Sequence, residues 1–274
     1  PEKSVLYVVG TPIGNLQDIS SRALNILQNV SFVACEDTRQ TKKLMNKFEI
    51  KNNLISFHKY NSSEKIPRII KDLNDGKSIA LVSDAGMPSI CDPGEELIRE
   101  VKLKKFEVIC IPGPSAALTA LITSGMPSSR FVFEGFLPRK KIERKKILAD
   151  ISKNERTTIL FESPHRLQKL LLELKEYCGG DREIQVSREL TKKFEQNISN
   201  NIENIIEFFN GKEIKGEITI VVRGIRNANY LNLDKLDIKE ELKLLINAGL
   251  SLSAASKYLA KKTNLTKSVI YKLY

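Results

Sequence analysis

The chain has 274 residues, 41% of them hydrophobic, and a net charge of +11 at pH 7. That length leaves room for two domains and a small extension. Composition and the absence of any apolar run near the roughly 20 residues of a membrane span or of a signal-like leader argue for a cytoplasmic protein, and the positive surplus favours a polyanionic partner, nucleic acid first.

The first predicted element is a buried strand, Val5 to Val9, followed at once by Gly10-Thr-Pro-Ile-Gly14-Asn15. Two glycines and a proline after a strand mark a tight connection where backbone comes near something. The glycine spacing is not that of the dinucleotide fingerprint. A helix from about Ser20 to Asn29 puts Ala23, Leu24 and Leu27 on one face. A second strand, Ser31 to Cys35, ends in Glu36-Asp-Thr-Arg39, charges that serve either as helix caps or as site residues. There follow a helix through Lys47, a strand at 54–57, a helix near 64–74, a strand at 79–82, a helix from Pro93 to about Lys104, and a strand at 106–111. Five strands alternating with helices indicate a parallel α/β layer. Three of the strand ends, after Val9, Val82 and Ile111, carry Gly/Pro turns, and their convergence on one sheet edge is the clearest site signal.

The central stretch is Ser78 to Gly94, in which a short apolar strand runs into Ser83-Asp-Ala-Gly-Met-Pro-Ser-Ile-Cys-Asp-Pro-Gly94. Gly86 and Pro88 forbid a regular element there, and Asp92-Pro93 reads as a helix start, with Asp92 as cap and Pro93 in the first turn. No Lys or Arg lies between Ser78 and Gly94. A phosphate loop needs such a cation or a glycine-rich helix start. This loop suits a neutral or cationic ligand lying against backbone.

Ser115 to Ser124 is a helix of small residues, and the breaker run Gly125-Met-Pro-Ser-Ser129 divides a first domain, 1–125, from a second, 126–225. The second α/β unit opens with a strand at 131–136. Pro138-Arg-Lys-Lys-Ile-Glu-Arg-Lys-Lys146 then sets six basic residues against one acid. Strands are predicted at 157–161 and 183–188, helices through Tyr177 and at 202–209, and a hairpin-like strand pair ending at Gly216-Glu-Ile-Thr-Ile-Val-Val222, which makes the sheet mixed. Residues 226–274 form an extension with a linker at Asn227 to Leu233 and three helices, at about 238–247, 251–261 and 266–273, resembling a helix-turn-helix module. From Ile225 on, nine Lys and Arg face four Asp and Glu. Four scattered cysteines and two histidines argue against a metal centre.

Leu6 to Ser20, Cys35 to Arg39, Val82 to Gly94 and Ile111 to Ala116 resemble signatures of the tetrapyrrole-methylase superfamily, and Glu162-Ser-Pro-His-Arg166 and Ser187-Arg-Glu-Leu-Thr-Lys192 resemble those of its ribosomal branch. The resemblance implies two α/β domains with a cofactor cleft between them, S-adenosylmethionine as methyl donor, a homodimer, and 2′-O-methylation of a cytidine ribose in the 16S rRNA of the small ribosomal subunit. It places the donor against Thr11, Pro12 and Ile13, against Ala85, Gly86, Met87 and Ile90, against Ser115 and Ala116, and against Leu137 and Thr219. Relatives that methylate tetrapyrroles carry Gly-Asp-Pro in the central loop. Here the triplet is Gly86-Met87-Pro88, so no role of that aspartate passes to Met87.

A ribose hydroxyl needs its proton removed or polarised. Asp84, Glu162 and Lys192 are the foremost candidates, with Asp37, His165 and Glu189 behind them. Arg139, Lys140, Lys141, Arg144, Lys145 and Lys146 are expected to track phosphates. Two alternatives stay open: a tetrapyrrole C-methyltransferase of the same fold, and a non-catalytic nucleic-acid-binding protein.

Overall fold

Val5–Val9 forms strand β1, buried along its whole length. It is the fourth strand of a parallel sheet ordered β3-β2-β4-β1-β5, with β2 at Phe32–Cys35, β3 at Leu54–Ser56, β4 at Ile79–Val82 and β5 at Glu107–Ile111. Alternate residues face opposite sides of a strand, and both faces are covered. Val5, Tyr7, Val9, Val33, Ala80 and Val82 join one core, with α1 (Ser21–Asn29) and α2 (Thr38–Lys47). Leu6, Ala34, Ile79 and Leu81 join the other, with α3 (Ser62–Asn74) and α4 (Glu95–Leu103). This double burial explains the unbroken apolar runs of β1 and β4.

The second sheet, ordered β6-β7-β10-β8-β9, is mixed. Strand β6 (Phe131–Phe136) pairs in parallel with β7 (Thr157–Glu162). Strand β10 (Ile218–Val222) inserts antiparallel between β7 and β8 (Glu183–Arg188). The hairpin lies elsewhere than the sequence suggests: β8 turns back into β9 (Gln196–Asn201), and among the described residues no second strand adjoins β10 in sequence. The residues of β9, Gln-Asn-Ile-Ser-Asn-Asn, form a half-exposed edge with almost no apolar signal. The basic run, unassigned in the sequence, leads into helix α6 (Lys141–Lys153). With α7 (Pro164–Cys178) and α8 (Ile202–Phe209), α6 buries one face of this sheet.

The other face is buried by α5 (Ala116–Ser124), which follows directly from the first sheet. Ala117, Ala120 and Leu121 pack with Ile159, Val221 and Ile13. Gln185, 1% exposed, donates to the Ala120 carbonyl and to Thr123 Oγ1 at 3.2 and 3.0 Å. One short helix therefore holds both sheets.

The computed structural model describes residues 2–225, 235–263 and 265–274. Pro1–Arg223 form one unit and Gly224–Tyr274 another. The second unit is three helices, α9 (Lys235–Asn247), α10 (Leu252–Lys262) and α11 (Lys267–Tyr271), around Ile238, Leu242, Ala255, Leu259 and Ile270. Ser251 and Thr266 cap α10 and α11 through their hydroxyls. The expected linker at Asn227 to Leu233 lies outside the described residues. Among the described residues no helix is long and apolar enough to cross a membrane.

β4, β1 and β5 are neighbours, so their three Gly/Pro loops meet at one edge. Gly10 N–H donates to the Ile111 carbonyl at 3.0 Å, and Thr11 and Gly86 exchange backbone bonds of 2.9 and 3.1 Å. A Cβ added at Gly10 would meet Met87 Sδ at 2.6 Å and Gly113 Cα at 2.7 Å. Gly10→Ala is expected to destabilise the protein by about 1–3 kcal/mol, measured as a drop of several degrees in melting temperature; an unchanged melting temperature would show that the loops can separate freely.

Candidate functional site

At this edge a cavity of about 490 Å³ opens between the two sheets. Ile13 reaches it from the first loop. The second loop supplies Asp84, Ala85, Gly86, Met87, Ile90, Cys91 and Asp92, and the start of α5 supplies Ser115 and Ala116. Phe136, Phe161, Glu162, Ser163, Pro164, Gly216, Glu217, Ile218 and Thr219 come from the second sheet and its loops. The central loop turns sharply because four residues take left-handed backbone: Gly86, Ser89, Cys91 and Gly94, at φ 78°, 64°, 63° and 142°. That geometry corrects the expected helix start. Gly94, whose φ a side chain rarely adopts, sits at the cap, α4 begins at Glu95, and Asp92 turns to the cavity instead of capping.

Five carboxylates, of Glu36, Asp84, Asp92, Glu162 and Glu217, lie on the wall, and no Lys, Arg or His is among the described residues that line it. Burial, and after it the charges of Asp84, Asp92 and Asp37, push the Glu36 carboxyl above its ordinary range. Burial does the same to Asp92, opposed by a hydrogen bond with Ser83 and reinforced by Asp84. Asp84 accepts from the Asp37 N–H at 3.0 Å. Asp37 itself caps α2 and is pulled down to about 2 by hydrogen bonds from the Arg39 side chain and backbone. Glu162 is 2% exposed: Oε1 accepts from Ser163 N–H at 2.8 Å, Arg166 Nε stands 3.5 Å away, and Oε2 has no hydrogen-bond partner. Such a wall, with carboxylates as its only charged groups among the described residues, fits a cationic ligand without phosphates.

The structure brings Ile13, Ala85, Gly86, Met87, Ile90, Ser115, Ala116 and Thr219 together on this wall, with Asp84 and Glu162. Among the expected donor contacts and the three foremost catalytic candidates, four do not line it, and neither do Asp37, His165 and Glu189. Thr11 is buried behind the wall, bonded to Gly86, and Pro12 is buried beside it. Leu137 belongs to the core under the second sheet, and its neighbour Phe136 lines the cavity instead. Lys192 is bound to Glu189 and Glu217 at 2.9 and 3.0 Å. Burial works against its charge, but these two hydrogen bonds outweigh it and hold the ammonium above its usual value. Lys192 thus ties loops together, its aliphatic stem against Gly14.

Arg144 also departs from expectation. It is 5% exposed, with its guanidinium on Glu173 at 2.6 Å and 3.9 Å from Glu162 Oε2. Arg139, Lys140, Lys141, Lys145 and Lys146 remain exposed. An amphipathic helix turns one residue in such a run inward, which the charge count alone conceals. Among the wall residues that the sequence did not single out, Phe136 and Phe161 carry no polar label. Glu36 and Asp92 were visible only as charges after a strand and before a helix.

The model of the tetrapyrrole (corrin/porphyrin) methylases matches residues 5–206. The chain belongs to the tetrapyrrole methylase family. Similar members are the ribosomal RNA small subunit methyltransferases I of Synechocystis sp., 42% identical over 98% of this chain and 96% of the relative, and of Bacillus subtilis, 43% identical over 100% and 94%. Cobalt precorrin-4 methyltransferase shares the fold at a TM-score of 0.62 and 18% identity, over 80% of this chain and 95% of that one. Diphthine synthase does so at 0.61 and 15%, over 98% and 99%.

The raised Glu36 pKa has a sign that can be checked. A carboxyl raised in the fold stabilises when protonated, and that contribution is lost as pH rises through its folded value. At pH 7 the ionised Glu36 therefore works against folding. Glu36→Gln is expected to raise the melting temperature of the ligand-free methylase at pH 7. The gain should vanish below about pH 4.5, the ordinary value, where the wild-type residue is protonated in both states. An equal gain at both pH values would remove the electrostatic cause.

Proposed function

We propose that this methylase transfers a methyl group from S-adenosylmethionine to the 2′-hydroxyl of a cytidine ribose in the 16S rRNA of the small ribosomal subunit, acting in the cytoplasm as a homodimer. The observation that carries the reading is the cleft: five carboxylates and no cation, in a chain similar over nearly its whole length to ribosomal RNA small subunit methyltransferases I.

The residues present fit the donor. Its sulfonium and ammonium suit a carboxylate-lined wall, and it has no phosphate to ask for Lys or Arg. Gly86, left-handed and without a side chain, lies on the wall with its own N–H and carbonyl bonded to Thr11. Ser115 and Ala116 open α5, whose free N–H groups favour a carboxylate. S-adenosylmethionine, when bound, supplies an electrophilic methyl group. The chain's part is to hold the hydroxyl oxygen roughly 3 Å from it and in line, and to receive the hydroxyl proton.

Asp84 is the first candidate for that proton. Its side chain lies on the wall and its Oδ1 is fixed by the Asp37 N–H. Glu162, whose buried Oε2 has no hydrogen-bond partner and lies 3.9 Å from Arg144, is the second. Lys192, ion-paired away from the wall, acts in this reading through Glu217. Arg139, Lys140, Lys141, Lys145 and Lys146 track phosphates, and Arg144 anchors their helix.

The decisive experiment incubates the protein with isotope-labelled donor and either small ribosomal subunits or a tetrapyrrole. Label in a ribose 2′-O-methyl cytidine supports the reading; label in the tetrapyrrole alone overturns it. Asp84→Asn is expected to lower kcat by about 10²–10⁴-fold with calorimetric donor affinity nearly unchanged; an unaltered kcat would remove Asp84 as base. Lys145→Ala with Lys146→Ala should flatten the salt dependence of RNA binding by one to two contacts, roughly 0.7–0.9 in slope each. Arg144→Ala should instead lower the melting temperature, by about 3 kcal/mol of stability, and leave that slope in place.

A further inference from the structure

A second chamber of about 650 Å³ adjoins the donor cleft and shares Glu36, Cys91 and Asp92 with it. Its remaining wall is of different chemistry. Tyr60 stands at it 92% exposed. The Tyr60 backbone N–H donates to His58 Nδ1 at 3.3 Å, and the two rings meet edge-on at 6.1 Å. Lys59 and Arg99 bring the cations that the first cavity lacks, and both are exposed. Glu95 and Glu96 add carboxylates near them.

These groups are a matched set. An exposed aromatic face takes a nucleobase by stacking. Lys and Arg take phosphate. Carboxylates accept from the exocyclic amine of cytosine. A nucleotide held here would lie beside the donor cleft, with Glu36, Cys91 and Asp92 common to both chambers.

We propose that this second chamber is the acceptor-nucleotide subsite, in which a base taken out of its stack lies on Tyr60, its exocyclic amine meets carboxylates of the wall, and a flanking phosphate meets Lys59 and Arg99. The inference rests on the RNA methyltransferase reading above. Unstacked bases in the loops and bulges of folded RNA are the ones that stack on aromatic side chains.

The test uses full-length Tyr60→Ala, Tyr60→Phe and the double variant Lys59→Glu, Arg99→Glu, assayed with labelled S-adenosylmethionine and small ribosomal subunits, with donor affinity measured in parallel. Tyr60→Ala should raise KM for the particle about ten-fold or more while donor affinity stays at the wild-type value, and Tyr60→Phe should restore it. The charge reversal should raise KM as well and weaken its salt dependence. Unchanged KM in both Tyr60→Ala and the charge reversal, with the wild type active on the particle, overturns the subsite alone. A wild type that fails to label the particle overturns the subsite and the reading beneath it.

Discussion

The close approach of two backbone segments, Gly10 against Gly113, is the constraint on which the site depends. Neither position leaves space for a Cβ. The contact draws the loop after β1 onto the loop after β5, while the Thr11–Gly86 bridge draws it onto the loop after β4. Three strand ends become one surface, and only then do Ile13, Met87 and Ser115 line the same cavity. The spacing of the three loops is set by these glycine positions.

Against that backbone the side chains are tuned in the opposite direction to stability. Carboxylates crowd the wall, and burial and mutual repulsion raise Glu36 and Asp92. An apolar wall would fold better. Retaining charge where it hurts folding is the mark of a site that binds a cation. Other charges are neutralised locally: on the wall Glu217 meets Lys192 and Glu162 stands near Arg166, and away from it Arg144 meets Glu173 and Lys192 meets Glu189.

Much of this was legible from the residues because local chemistry and global position agree. The strand-then-glycine pattern located all three loops, and the lack of Lys and Arg from Ser78 to Gly94 foretold the sign of the wall. What escaped was whatever depends on neighbours distant in sequence. Strand β9 is polar and lies on an edge, so it has no periodic signature. Arg144 looks like its basic neighbours until the helix turns it onto Glu173, twenty-nine positions away. Leu137 and Phe136 differ by one place in the chain, yet one enters the core and the other the cavity. Asp92 reads as a cap because the left-handed Gly94 beside it is silent in the sequence.

Helix α5 has a further consequence, for the order of events during synthesis. It ends the first sheet's half of the chain, yet the partners of Ala117, Ala120 and Leu121 include Ile159 and Val221, on β7 and β10. A nascent chain that has completed only the first sheet holds an apolar helix with nothing to cover it. The unit cannot close until β10 emerges and slots between β7 and β8. Closure must therefore wait on contacts far apart in sequence, the slow and exposed regime of folding. The half-made protein carries this apolar face without its second-sheet partners until β10 is made, the interval in which it is most prone to aggregate.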